Sequence, residues 1–208
     1  MIRCRNCSAH LDGYTSRCGY CGSVNDLDRD LLIRGQGPSR ASKYACPVCA
    51  EPMEHLALGQ DGEEAVTADR CGKCFGLLFP FYKLETVLND MGKFGFLIDA
   101  KRLEDLTRNT PVEAAIAYRK CPACGKFMNR INFGQRSGVI TDQCHGHGVW
   151  LDAGELRRLV EWKNSGGMLH AEEMRKQSER EQEKRRQREK EKLARLKRQG
   201  PPDSEQDF

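Results

Sequence analysis

Residues 121–147 read CPACGKFMNRINFGQRSGVITDQCHGH, with one pair of metal ligands at each end. The pairs are Cys121 with Cys124 and Cys144 with His147, and two residues separate the members of each pair. Three thiolates and one imidazole suit structural zinc, because Zn²⁺ binds four such groups in a tetrahedron. The 19 residues between the pairs are close to the spacing typical of such sites. This stretch therefore predicts a β-hairpin closed by one zinc ion.

All 11 cysteines of the chain belong to pairs of this kind. The pairs form three sets of four ligands: Cys4, Cys7, Cys18 and Cys21; Cys46, Cys49, Cys71 and Cys74; Cys121, Cys124, Cys144 and His147. A catalytic zinc ion keeps three protein ligands and an open position, so four ligands in every set favour structural zinc. We predict three Zn²⁺ ions per chain. Disulfide bonds or iron are the alternative interpretations of the cysteines.

Two histidines compete for the twelfth ligand position. His147 stands three residues after Cys144, which is the gap found in the other five pairs. His145 directly follows Cys144, and adjacent side chains diverge too far to bind one tetrahedral ion. The flanking glycines 146 and 148 also give the backbone the freedom that a tight turn needs. We therefore assign the twelfth ligand to His147.

Composition limits the class of protein and its compartment. The chain has 208 residues, of which 38% are hydrophobic and 31% are charged. Units of about 40 residues bury too little apolar surface to fold alone, and zinc binding supplies the missing free energy. Met1 leads to Cys4 without the apolar stretch of a signal peptide, and the longest apolar run, at 77–82, is too short to cross a membrane. We expect a cytoplasmic protein with reduced cysteines and no membrane partner.

The sequence predicts an α+β protein made of small modular zinc ribbons, each followed by a short helix, with a long charged C-terminal helix. The predicted segments are a short zinc ribbon at 1–22, a linker at 23–43, a ribbon plus helix at 44–92, a helical connector at 93–118, a ribbon plus helix at 119–165, a charged helix at 168–199 and a disordered acidic tail at 200–208. Within the linker, residues 25–33 could form a short helix, and the glycines and proline of 34–40 predict flexibility.

The segments 44–92 and 119–165 are predicted to be repeats of one another. Each contains a ligand pair, a strand, a turn marked by glycine (60–62 and 135–138), a returning strand and a second ligand pair. Each then continues into a helix with apolar residues at matched positions: Leu84, Val87 and Leu88 in one, and Leu156, Leu159 and Val160 in the other. Asp152 and Glu155 predict a capping box at the start of the second helix, and we expect Trp150 to pack that helix against its ribbon.

A run of motifs between residues 119 and 163 is similar to a known family. The motifs are Cys121-Pro-x-Cys124, Met128 to Gly134, Ser137 to Ile140, Cys144-x-Gly-His147-Gly148, Trp150-x-Asp152 and Glu155 to Arg158. They resemble the bacterial zinc-finger proteins whose module is named for its similarity to the zinc ribbon of transcription factor IIB. Residues 44–88 resemble the same module more loosely, with Leu78 in a segment where the family has tryptophan, and 1–22 resemble only a generic ribbon. The resemblance implies zinc binding and a ribbon fold.

The charged C-terminal segment bears on possible partners. Residues 171–199 contain twelve Lys and Arg and seven Asp and Glu, with favourable spacings of four between Glu172 and Lys176, Glu181 and Arg185, and Glu191 and Arg195. The basic residues could contact phosphate, but the interspersed acids favour a solvated helix. Apolar residues are too few for a coiled coil.

The sequence contains no Ser/His/Asp arrangement, phosphate-binding loop or pair of converging carboxylates, so we expect a protein that is not an enzyme and has no small-molecule substrate. The leading hypothesis is a cytoplasmic zinc-ribbon adaptor that binds a protein partner, whose identity the sequence does not reveal. The alternative is a nucleic-acid-binding or transcription-associated protein. A third hypothesis is a regulator that responds to zinc or to redox conditions by unfolding when metal is lost.

Overall fold

In the computed structural model, the described residues are 2–13, 15–32, 39–58, 66–91, 98–109 and 117–198. The turn predicted at 60–62, most of the segment 34–40 and the acidic tail at 200–208 lie outside these ranges. The helices are α1 (Arg29–Leu32), α2 (Lys83–Met91), α3 (Ala100–Arg108), α4 (Glu155–Asn164) and α5 (Gly167–Arg198). The strands are β1 (Ile2–Arg3), β2 (His10–Leu11), β3 (Arg40–Ala45), β4 (Pro52–Leu58), β5 (Val66–Cys71), β6 (Leu77–Phe79), β7 (Asn129–Asn132), β8 (Ile140–Cys144) and β9 (Gly148–Leu151). This α+β composition confirms the predicted fold class.

Seven strands form one antiparallel sheet in the order β3-β4-β5-β6-β9-β8-β7. The two hairpins expected from the sequence, β4 with β5 and β7 with β8, lie in its two halves. They are joined by β6 and β9, short strands that the sequence analysis does not predict. Leu78 is paired directly with Trp150 at this central junction. The two predicted ribbons therefore share a sheet, whose joined edges satisfy backbone groups that each ribbon would otherwise expose.

Side chains on the two faces of the sheet form two different cores, since successive residues of a strand point to opposite faces. On one face, Leu77, Phe79, Val149 and Leu151 pack with apolar residues of α2 and α4. On the other face, Trp150 packs among residues that include the ligands of two zinc sites: Cys46, Met53, Cys71, Leu78, Cys121 and Met128. Trp150 is only 1% exposed, so it is a core residue and not a surface for base stacking.

Close packing around Trp150 explains a glycine in the neighbouring strand segment. A Cβ atom at Gly76 would lie 2.1 Å from Cζ2 of the Trp150 ring. Leu78, which the family resemblance places where tryptophan is expected, lies opposite Trp150 in the register of β6 and β9. The indole from one half of the sheet thus occupies space left by Gly76 of the other half.

The segment predicted as a linker at 23–43 contains buried residues and the start of β3. Asn25 accepts a hydrogen bond from the backbone N–H of Arg5 at 2.9 Å, and Leu27 belongs to the small core of the first ribbon. Within the described part of the predicted helix, residues 25–32, the structure has α1 at Arg29–Leu32. The composition of this segment suggested a spacer, whereas in the structure the side chains of Asn25 and Leu27 have specific partners.

Asp28 in this segment caps a helix that lies far away in the sequence. Its two carboxylate oxygens accept hydrogen bonds from the N–H groups of Gly154 at 2.6 Å and Arg157 at 2.8 Å, at the start of α4. The capping box predicted for α4 is only half formed. Glu155 accepts a hydrogen bond from the N–H of Asp152 at 2.8 Å, as expected. The Asp152 side chain does not cap the helix, because it is bound by Arg119 and Trp150 instead.

The chain divides into two compact units, residues 1–168 and 169–208. The described part of the second unit, 169–198, belongs entirely to α5. Three ion pairs at spacings of four are present in α5, between Glu172 and Lys176, Arg175 and Glu179, and Arg185 and Glu189. The first was predicted. Arg185 is paired with Glu189 and not with the predicted Glu181, whose carboxylate accepts a hydrogen bond from Gln177.

Candidate metal centres

Five of the six ligand pairs have the same backbone conformation. The residue after the second cysteine has a positive φ of 58° to 72°: Ser8, Gly22, Ala50, Phe75 and Gly125. The N–H of this residue donates to the carbonyl of the first cysteine, as Ala50 does to Cys46 at 2.9 Å. The first cysteine donates in turn to the carbonyl five residues later, as Cys46 does to Glu51 at 2.8 Å. This left-handed conformation costs about 1–2 kcal/mol for residues other than glycine, and zinc binding supplies more than that.

The sixth pair, Cys144 with His147, has a different backbone. The N–H of His147 donates to the carbonyl of Cys144 at 3.0 Å, and Gly148 is already the first residue of β9. A Cβ at Gly148 would lie 2.4 Å from the carbonyl oxygen of Phe79, so this glycine permits the close approach of β9 to β6. The gap of two residues is the same as in the other pairs. The side chain of His147 is longer than that of a cysteine. It can therefore reach the third zinc site although the turn that carries it is shorter than in the other pairs.

The structure brings the twelve predicted ligands together in the three predicted sets. In each set the ligand atoms all lie within 4.8 Å of one another. The Sγ atoms of Cys4 and Cys21 are 3.6 Å apart, those of Cys49 and Cys71 are 3.4 Å apart, and those of Cys124 and Cys144 are 3.8 Å apart.

These distances distinguish zinc binding from disulfide bonding. Two sulfurs bound to one zinc ion at about 2.3 Å and at the tetrahedral angle lie about 3.8 Å apart, whereas a disulfide bond is about 2.0 Å long. All 11 cysteines are free thiols in the structure. The donor sets are two Cys₄ sets and one Cys₃His set, and both types fit Zn²⁺. The prediction of three zinc ions per chain is confirmed.

The two histidines near the third set have different environments. Nδ1 of His147 lies 3.3 Å from the sulfur of Cys144 and within the third ligand set. The ring of His145 packs edge-on against Phe81, with ring centroids 4.8 Å apart. His147 and Cys124 are exposed, so the third site is more open to solvent than the second, in which Cys46 and Cys71 are buried and the other two cysteines are partly buried.

Hydrogen bonds lower the pKa of one or two thiols in each ligand set. The Ser23 hydroxyl, followed by the N–H of Cys7, lowers the pKa of Cys4 to about 5. A hydrogen bond from the thiol of Cys74 lowers the pKa of Cys46 to about 5, in spite of burial. The N–H of Lys126 lowers the pKa of Cys124. Burial has the opposite effect on other ligands: it raises the pKa of Cys121 to about 11 and also raises the pKa of Cys49. Because the thiolate is the form that binds zinc, the lowered pKa values favour metal binding at Cys4, Cys46 and Cys124.

A buried ion-pair network supports the third site. Arg119, two residues before Cys121, donates to Asp142 at 2.8 Å and to Asp152 at 2.7 Å. Asp152 also accepts from Nε1 of Trp150 at 2.9 Å. Burial raises the pKa of Asp142, and the charge of Arg119 opposes that effect. The network connects the segments that carry the two ligand pairs of the site, so it fixes their relative position.

One cavity brings together His147 and polar residues that the sequence analysis does not mention. Its volume is about 440 Å³, and its lining includes Ser42, Tyr44, His55, Asp69 and His147. Nδ1 of His55 lies 2.9 Å from Oδ1 of Asp69, directly across β4 and β5. The Ser42 hydroxyl accepts a hydrogen bond from the N–H of Tyr44 at 3.0 Å, and in the described part of the chain no hydrogen bond joins it to His55. The hairpin of β4 and β5 was predicted from the sequence. The register of that hairpin could therefore have placed His55 beside Asp69.

The comparison with protein families agrees with the geometry of the third zinc site. The model of the transcription factor zinc-finger family matches residues 120–161, which include all four ligands of that site. Residues 120–161 form a zinc ribbon of the transcription factor IIB type. The resemblance found in the sequence at 119–163 is thereby confirmed. In this ribbon Cys121 and Cys124 precede β7, Cys144 ends β8, His147 lies in the turn before β9, and α4 follows β9. No curated protein and no solved structure matches the chain.

Beyond the IIB-type ribbon, the chain contains two further zinc sites, and the described helices include none that is long and apolar enough to cross a membrane. The chain is therefore a zinc-binding protein of the zinc-ribbon type.

Sequence reasoning missed Asp28, because a residue that caps a helix 126 positions away has no local sequence signal.

Proposed function

We propose that this protein is a cytoplasmic adaptor without catalytic activity, which binds a protein partner through α5. The observation that carries the proposal is the exposure of this helix. Every residue from Arg175 to Arg195 is exposed, over a helix of 32 residues. At about 1.5 Å per residue the helix is about 48 Å long. A helix this long with almost no buried side chains presents a large surface for a partner.

The charges of α5 support a protein partner. Acidic side chains are interspersed among the basic ones, and three ion pairs form within the helix. Alternating charges complement a protein surface of mixed charge, which gives specificity and orientation. Phosphate binding depends on Lys and Arg that neutralise phosphates, and the interspersed acids oppose that effect. The alternative of nucleic-acid binding by α5 is therefore ranked second.

The zinc sites support a scaffold role and the absence of catalysis. Each set provides four protein ligands, which fills the tetrahedron and leaves no position for a substrate. The first ribbon is attached through Asp28 to the IIB-type ribbon. In this proposal the three zinc ions hold residues 1–168 as a stable body from which binding surfaces are presented.

The test is affinity capture from native cytoplasm with four forms of the protein. These are the full chain, a chain that ends at Met168, and the variants Gln187→Pro and Gln187→Ala. Proline in the middle of α5 breaks the helix without changing its charge, at a cost of about 3 kcal/mol or more, whereas alanine preserves both. We expect a specific protein partner to be captured by the full chain and by Gln187→Ala, and to be lost from the other two. Capture of the same partners by the chain that ends at Met168 would contradict a role for α5.

A further inference from the structure

Two aromatic side chains beside the third zinc site are unusually exposed. Tyr118 is 68% exposed and Phe127 is 66% exposed, and Ile131 in β7 is 43% exposed. Lys120 and Lys126 are exposed at neighbouring positions. We call these five residues the β7 patch. The aromatic rings of the patch do not serve to fill a hydrophobic core, because most of their surface is in contact with solvent.

Local backbone pairing brings the patch residues together. Lys120 is bridged to Phe127, and the N–H of Met128 donates to the carbonyl of Arg119 at 2.9 Å. Met128 is buried in the core and Arg119 is bound to Asp142, so these alternate residues point inward. The side chains between them therefore face solvent. Nζ of Lys120 lies 5.5 Å from the centroid of the Phe127 ring, which places a positive charge beside an exposed aromatic face.

The charged side chains in the stretch of sequence that contains the patch have a single sign. Residues 117–141 contain five basic residues and no Asp or Glu: Arg119, Lys120, Lys126, Arg130 and Arg136. The first acid after this stretch, Asp142, is buried and bound to Arg119. This arrangement differs from α5, where acids alternate with bases. Exposed aromatic rings with neighbouring lysines complement a polyanion that has exposed aromatic groups.

The third zinc site holds the patch in place. Lys126 and Phe127 lie two and three residues after Cys124, and Lys120 directly precedes Cys121. The N–H of Cys121 donates to the carbonyl of Lys126 at 2.8 Å, and Gly125 has a φ of 71°. These restraints position the patch before any ligand binds, which lowers the entropic cost of association.

We propose that the β7 patch binds single-stranded nucleic acid. Bases stack on Tyr118 and Phe127, while Lys120 and Lys126 contact the phosphates. A duplex is a poorer ligand, because its bases are already stacked on one another and the patch offers no helix to enter a groove. This binding surface lies in the IIB-type ribbon and is separate from α5, so the inference goes beyond the proposed adaptor function and does not depend on it.

The experiment measures fluorescence anisotropy of labelled oligo(U), oligo(dT) and a random duplex, each of about 12 units, with the zinc-loaded full chain at physiological salt. We expect saturable binding of at least one single strand and weaker binding of the duplex. Phe127→Ala and Tyr118→Ala should each weaken binding by about 5- to 150-fold, since stacking of one base contributes about 1–3 kcal/mol. Phe127→Tyr, which preserves a stacking surface, should restore most of the affinity.

Matched controls separate the patch from other parts of the chain. Tyr82 is 79% exposed but outside the patch, so Tyr82→Ala should leave the affinity unchanged. Lys126→Gln should reduce the slope of log K against log salt by about 0.7, as expected for loss of one phosphate contact on a single strand. Zinc content is measured for every variant, so that a loss of nucleic-acid binding is not confused with the loss of a zinc site.

A preference for oligo(U) would indicate contacts to the 2′-hydroxyl, and equal binding would indicate recognition through bases and phosphates; both outcomes support the proposal.

Three results would overturn the proposal. The first is no saturable binding to either single strand. The second is binding that survives Phe127→Ala and Tyr118→Ala but is lost in the chain that ends at Met168, which would assign nucleic-acid binding to α5. The third is a protein partner captured by the full chain and lost on Phe127→Ala, together with no binding of nucleic acid, which would make the patch a protein-docking face. The adaptor proposal is tested separately, by affinity capture with the variants Gln187→Pro and Gln187→Ala.

Discussion

Asp28 connects the first ribbon to the IIB-type ribbon through one buried carboxylate. It is 1% exposed, and both of its oxygens accept hydrogen bonds from N–H groups at the start of α4. The N-terminus of a helix carries partial positive charge, so an acid is favoured there. Burial opposes this effect and raises the pKa of Asp28 to about 6, with hydrogen bonds from Arg157 and Gly154 acting in the opposite direction.

We predict that Asp28→Ala lowers the free energy of unfolding by about 2 kcal/mol at pH 7, because two N–H groups lose their acceptor in a buried site. Urea denaturation at constant zinc concentration measures this difference. The control is Asp30→Ala, since the Asp30 side chain is 84% exposed and lies 3.7 Å from Arg157. An exposed pair of this kind contributes little. Equal effects of the two substitutions would contradict the capping role of Asp28.

The same carboxylate predicts a pH dependence. Asp28 has a pKa of about 6 in the folded state, above the value of about 3.9 for an unfolded chain. Between these values the folded state binds more protons, so the stability contributed by Asp28 is greatest at low pH and falls as the pH rises through 6. The difference in unfolding free energy between the native protein and Asp28→Ala should therefore be larger at pH 5 than at pH 7. Comparing two proteins at each pH cancels the effect of pH on zinc binding.

At the scale of elements, the pairing of β6 with β9 decides how the two halves of the sheet join. Trp150 lies at this junction, opposite Leu78 and against Gly76. The large indole ring of Trp150 thus fills the space that is left because Gly76 has no side chain. The close packing of protein interiors leaves no room for an additional methyl group here.

We predict that Gly76→Ala lowers the unfolding free energy by about 1–3 kcal/mol, because its Cβ overlaps the Trp150 ring and the core must shift. Gly72→Ala is the matched control, since a Cβ at Gly72 has no neighbour within 4 Å. Thermal denaturation of both variants measures the difference. In a double-mutant cycle, Gly76→Ala should cost less in the presence of Trp150→Leu than in the native background. Additive effects would show that the two residues do not interact as described.

For the whole molecule, we expect the second and third zinc sites to determine stability together. The second and third sites lie on the same face of one sheet, with Trp150 between their ligands. Losing the third zinc ion should therefore weaken more than its own ribbon. This expectation differs from that for independent modules, in which each ribbon would unfold separately.

Elemental analysis should find about three zinc ions per chain. His147→Ala should reduce the value to about two, because the third set loses one of its four ligands. His145→Ala should retain three, since His145 packs against Phe81 and lies outside the ligand set. Full zinc content in His147→Ala, with loss in His145→Ala, would reverse the assignment of the twelfth ligand.

The sequence by itself determined the ligands, their grouping, the number of zinc ions and the type of the third ribbon. These features depend on local spacing: two residues between ligands set a turn in which both side chains can reach one ion. The helices after each ribbon were also predictable, because apolar residues at positions such as Leu156, Leu159 and Val160 recur with the helical period.

The tertiary structure alone decided how these parts are joined. The pairing of β6 with β9 depends on two short apolar segments that find each other across the chain, and neither is long enough to identify as a strand. The cap of α4 by Asp28, the different turn at His147 and the cavity beside His55 depend on contacts between residues distant in sequence. Local spacing carries no information about such contacts, because they are selected by the free energy of burying strand edges and polar groups in the folded chain.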